Sequence, residues 1–111
     1  MARDQPYLEA EKKIDEALKS GATELKLCDM KLTELPESIG QLTHLLKLDL
    51  GQDRQKHWQK KDGENQLINL PESLGQLTQL QTLNLSDNQL TTLPDSLGQL
   101  TQLTELNLSN N

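Results

Sequence analysis

One cysteine, two histidines and one tryptophan are the residues of this 111-residue chain whose chemistry goes beyond ordinary acids, bases and amides. A nucleophilic Cys28 would need a base beside it, and a metal ion would need three or four converging donors. His44 falls in a segment connecting two strand-like motifs and His57 in an irregular stretch, so no spacing joins either to Cys28. The phosphate-cradling pattern Gly-x-x-x-x-Gly-Lys-Ser/Thr is also missing from the sequence. The expectation is a protein that is not an enzyme, with no catalytic residue, no cofactor and no metal.

Recognition is the remaining chemistry, and a short alternation decides where it would lie. Leu25-Lys26-Leu27, Leu48-Asp49-Leu50, Leu83-Asn84-Leu85 and Leu106-Asn107-Leu108 each put leucines to one side and a polar residue to the other. Four short parallel strands are predicted, with columns of outward residues running across them. One column is Glu24, Lys47, Thr82 and Glu105; the next is Lys26, Asp49, Asn84 and Asn107; a third is Cys28, Gly51, Ser86 and Ser109. Lys26 beside Asp49 reads as a cross-strand charge pair. The protein-binding candidates on this face are Lys26, Lys47, Asp49, Thr82, Asn84, Glu105 and Asn107. Strands about 4.8 Å apart, each showing about 10 Å of length, give a face of only ~200 Å², against ~800 Å² per partner in a stable interface. Binding there would need the flanks, the irregular stretch or further repeats.

The strands are positioned by a period. Residues 70–88 return as 93–111 with four differences, leaving 15 of 19 positions identical. A repeat of 23 residues is one supersecondary unit stacked on copies of itself, so the expected fold is an α/β solenoid. Leucine supplies 25 of the residues and phenylalanine none, which suits identical stacked layers. After each strand, Asn65, Asn88 and Asn111 sit where a side-chain amide can bond turn backbone, and Met30 replaces them in the first coil. Leu35-Pro36, Leu70-Pro71 and Leu93-Pro94 then open short helical turns.

Two segments stand outside the period. Residues 7–19 space Tyr7, Ala10, Ile14, Ala17 and Leu18 along one helical stripe, with Asp4 and Pro6 to start the helix and Ser20-Gly21 to stop it. Its expected role is to cap the first coil, dividing the chain into a cap and lead-in at 1–24 and repeats at 25–111. Between Leu48 and Leu83 the spacing is 35 rather than 23, so twelve residues, 53–64, are inserted. They carry Arg54, His57 and Trp58, which are further protein-binding candidates if the loop leans over the sheet. The other reading is a tolerated excursion with Trp58 packed on a neighbouring coil.

The pattern Leu-x-Leu-x-x-Asn-x-Leu-x-x-Leu-Pro-x-x-Leu-x-x-Leu-x-x-Leu at Leu83–Leu103 resembles the leucine-rich repeat of the 23-residue type, over residues 25–111. It is similar to intracellular Ras-group repeat proteins and to the repeat regions of bacterial Roco-type proteins, whose helical lead-in the segment from Tyr7 to Leu25 also resembles. The resemblance implies a right-handed superhelix with a short parallel concave sheet that presents variable residues to a protein partner. It also implies that this chain is part of a larger signalling protein.

A net charge of −6 and a pI near 4.8 argue against nucleic acid, which needs a basic stripe. No signal peptide or long apolar run is visible, so no membrane partner is expected, and a single cysteine fits a reducing, cytoplasmic setting. The sequence stops at Asn111 without a capping segment, which would leave Leu100, Leu103, Leu106 and Leu108 facing water or a second molecule. That predicts either a homodimer through the C-terminal coil or a longer natural chain. The competing reading is an architectural spacer or self-associating repeat fragment without a dedicated partner.

Overall fold

The computed structural model describes residues 4–51 and 65–111. Helix α1, Gln5–Ser20, leads into four three-residue strands: β1 (Glu24–Lys26), β2 (Lys47–Asp49), β3 (Thr82–Asn84) and β4 (Glu105–Asn107). They form one parallel sheet in chain order. The register sets Glu24, Lys47, Thr82 and Glu105 in one row and Leu25, Leu48, Leu83 and Leu106 in the next. Strand order equal to chain order is what a stack of similar coils requires.

Each coil returns on the far side through a short 3-10 helix, at Glu37–Gln41, Glu72–Gln76 and Asp95–Gln99. Pro36, Pro71 and Pro94 precede these helices with φ of −59°, −70° and −68°, so the ring presets the approach to each turn. Between sheet and turns runs the core, almost all leucine, from Leu27 through Leu50 and Leu67 to Leu85.

Helix α1 begins where the Asp4 carboxylate accepts the Tyr7 N–H at 3.1 Å. It ends at Gly21, whose φ of 68° is a left-handed cap that glycine takes without strain. Ala10, Ile14 and Ala17 are buried in the core of the stack, while Leu18, expected on the same stripe, is 42% exposed. Leu18 lies one helical step past Ala17, at the solvent edge of a stripe only one side chain wide.

Behind the strands the asparagines form a ladder with a direction. Asn65 Oδ1 accepts the N–H groups of Met30 (3.1 Å) and Leu32 (2.9 Å), and its Nδ2 donates to the carbonyls of Leu27 (2.8 Å) and Leu50 (2.9 Å). Asn88 Oδ1 accepts from Leu67 N–H, and Asn111 Oδ1 from Leu90 N–H, each at 3.1 Å. Every amide therefore satisfies the coil before it as well as its own. No coil precedes the first, which removes that demand on its own turn, and Met30 there packs against the core instead.

Candidate functional site

The outward residues of the strands line an open concavity of about 800 Å³, whose walls include Glu24, Lys26, Lys47, Asp49, Thr82, Asn84, Glu105 and Asn107. The first two columns read from the alternation are rows of the observed register. Glu24, Lys26, Lys47 and Glu105 are exposed; Thr82, Asn84, Asp49 and Asn107 are half-buried.

The expected charge pair is in the wrong column. Lys47 Nζ approaches Glu24 Oε1 at 3.4 Å, whereas Asp49 Oδ1 accepts the Asn84 amide at 2.9 Å and the Gly51 N–H at 3.1 Å. The second bond explains why. Asp49 folds back onto the N–H two residues ahead, as Asn84 does onto Ser86 and Asn107 onto Ser109, both at 3.0 Å. These are Asx turns that carry the chain out of each strand. Lys26 holds the same position in the first coil but has no acceptor to offer. Asp49, Asn84 and Asn107, candidates for recognition by the alternation, thus also brace the turns, and the sequence signal for that second role is an Asp or Asn two residues before a small residue at a strand end.

Two further expectations change. The strands end sooner than the alternation suggested, so Cys28, Gly51, Ser86 and Ser109 belong to the turns, and Gly51 and Ser86 are buried rather than displayed. Cys28 is half-buried, its Sγ 3.8 Å from the Asp49 carbonyl oxygen, and His44 is exposed on the connection before β2. Among the described residues no group of three or more His, Cys, Asp or Glu side chains is placed to hold a metal ion. Arg54, His57 and Trp58 lie outside the described residues.

The C-terminal end is the second feature of the surface. Leu93, Leu106 and Leu108 are 40%, 43% and 38% exposed, and Leu97 and Leu103 are half-buried. Leu100, expected among the uncovered leucines, is buried; like Leu77 it packs into the core of the stack.

A parallel sheet in chain order, a leucine core and a backward-facing asparagine ladder define a stack of leucine-rich coils. The leucine rich repeat family matches residues 63–111. A leucine-rich repeat protein of Leptospira interrogans is 35% identical over an alignment covering 86% of this chain and 33% of that one, with a TM-score of 0.42. This chain thus spans about a third of the length of that protein. No curated protein sequence matches. Leucine-rich repeats are in general protein-interaction modules and typically non-catalytic. Among the described residues, no helix is long and apolar enough to cross a membrane.

Proposed function

We propose that the chain is a cytoplasmic protein-binding scaffold of the 23-residue repeat type, working within a larger signalling protein similar to the Ras-group and Roco-type repeat proteins. Residues 1–24 serve as cap and lead-in, and residues 25–111 as the repeats, interrupted in sequence by the twelve residues 53–64. Neither nucleic acid nor a membrane is a partner. The observation that carries this reading is the concave row Glu24, Lys47, Thr82 and Glu105. Its side chains come from four different strands and, unlike the row of Asp49, Asn84 and Asn107, are not used to build the turns.

Proximity labelling in the source cell, followed by pull-down of the labelled proteins, tests it. A partner recovered by the wild-type chain should be lost with Lys47→Glu plus Glu105→Lys and kept with Thr78→Lys on the far side. Equal recovery by all three baits would remove the concave row from the account. Trp58→Ala in the same assay asks whether the insertion contributes.

A further inference from the structure

Thr23, Leu46, Gln81 and Thr104 hold one repeat position, directly before the strand residues Glu24, Lys47, Thr82 and Glu105. Regular alternation would turn Leu46 inward with Leu48. The backbone breaks that alternation: the N–H groups of Leu46 (2.7 Å) and Lys47 (3.1 Å) both donate to the Thr23 carbonyl. Gln81 and Thr82 do the same to the Leu46 carbonyl, at 2.8 and 3.0 Å, and Thr104 and Glu105 to that of Gln81, at 2.8 and 3.1 Å. Two residues set against one is the geometry of a bulge, which re-aims a side chain.

Leu46 is half-buried, yet among the described residues it belongs neither to the leucine core nor to the half-buried side chains packed against that core. Thr104, at the same position of the last coil, lines the concavity, as does Lys47 beside Leu46, so Leu46 stands on the rim. Described coils flank it on both sides. The residues they supply at its position, Thr23 and Gln81, are polar and exposed, and the register sets Glu24, Lys47 and Thr82 alongside. One apolar side chain within a polar rim is the pattern of an interface anchor.

We propose that Leu46 anchors a partner-protein segment carrying an apolar side chain flanked by an acid and a base. This rests on the concave face being the binding surface and states what that surface selects. Lys47 Nζ and Glu24 Oε1 are 3.4 Å apart, and their side chains are 60% and 59% exposed, so the pair is hydrated and opens to a partner at little cost. The acid of the segment takes Lys47, its base takes Glu24, and its apolar residue covers Leu46. Charges of one sign do not fit. An all-acidic segment meets Glu24, Asp49 and Glu105 in the concavity, and an all-basic one meets Lys26 and Lys47. Leu46 removed from water adds the apolar contribution that the mixed polar rows do not offer.

Random peptides displayed on phage, selected on the immobilised full chain and resynthesised for fluorescence anisotropy, provide the test. The binders should share an apolar residue with an acid and a base close beside it. Leu46→Thr, which gives the position the side chain that residues 23 and 104 carry, should weaken those peptides about tenfold. Its far-ultraviolet circular dichroism spectrum and urea midpoint should match the wild type. Lys47→Glu should weaken them as well, and replacing the peptide's acid by lysine should restore binding to that variant. Peptides that survive Leu46→Thr but are lost with Lys47→Glu plus Glu105→Lys overturn the anchor and leave the concave face as the binding surface. Peptides indifferent to every variant overturn both. A selection that yields no binder overturns recognition of such a segment and leaves the concave face to its own pull-down. A Leu46→Thr midpoint lowered as far as that of Leu83→Ala places Leu46 in the core and also overturns the anchor.

Discussion

Leu83 and Leu106 occupy the same place in two nearly identical copies of one sequence, yet Leu83 is completely buried and Leu106 is 43% exposed. The same split separates Leu85 from Leu108, Leu70 from Leu93, and the crowded Gly75 from the open Gly98. Nothing inside the repeats accounts for it, since 15 of their 19 aligned positions agree. The difference is the neighbour: residues 70–92 are followed by another coil whose strand, serine and asparagine close over them, and residues 93–111 are not followed by a described one. A coil in this fold is completed by its successor. The first coil is treated differently again, with Ala10, Ile14 and Ala17 of α1 standing where a preceding coil would lie.

The largest test of this contrast is a pair of leucine truncations measured by urea unfolding at a concentration where the chain has single mass. Leu83→Ala opens a cavity in a filled layer and should lower stability by about 2–5 kcal/mol. Leu106→Ala removes side chain already in contact with water and should cost about 1 kcal/mol or less, since a partly exposed leucine has less transfer free energy to lose. Equal losses would mean that the last coil is covered even in the single chain.

Adding atoms is the complementary test and should give a somewhat smaller effect. Gly75→Ala forces a methyl group against Ser96 Cβ and carbonyl oxygen, both 2.5 Å from the ideal Cβ position, so stability should fall by about 1–3 kcal/mol. Gly98→Ala meets nothing and has an ordinary backbone, so it should change stability by no more than about 0.5 kcal/mol, or raise it slightly by restricting the unfolded chain. Comparable losses from the two would break the claim that glycine is held there by the following coil.

Much of the fold was legible because it is set locally. The period, the leucine alternation, the prolines before each 3-10 helix, and Asp4 with Gly21 around α1 are marks that residues carry whatever their neighbours. Burial set by a neighbour left no such mark. Leu100 and Leu106 look alike in sequence, yet one is buried in its own stack and the other lies exposed at the edge of the described coils. The direction of the asparagine ladder was equally hidden. By residue type Met30 departs from the pattern, and only the structure shows that Asn65 reaches back to its N–H. On the candidate site, sequence placed the columns of the sheet but could not tell a side chain facing a partner from one bracing its own turn. That distinction rests on a rotamer of Asp49, Asn84 and Asn107, not on residue type.

The smallest effect tests the N-terminal side of the same argument, through a second ladder on the convex face. Ser73 Oγ donates to the Glu37 carbonyl at 2.8 Å and Ser96 Oγ to the Glu72 carbonyl at 2.7 Å, so each serine bonds the coil before it. Ser38 holds that position in the first coil, where α1 replaces a preceding coil, and its buried Oγ has no partner. Ser73→Ala deletes a made bond and orphans a carbonyl, and should destabilise by about 0.5–1.5 kcal/mol. Ser38→Ala removes a hydroxyl that was desolvated for nothing, and should be neutral or stabilising by up to about 1 kcal/mol. The two substitutions are chemically the same, so a difference in sign isolates what a coil gains from its predecessor; destabilisation of equal size by both would show that α1 satisfies Ser38 as a coil would.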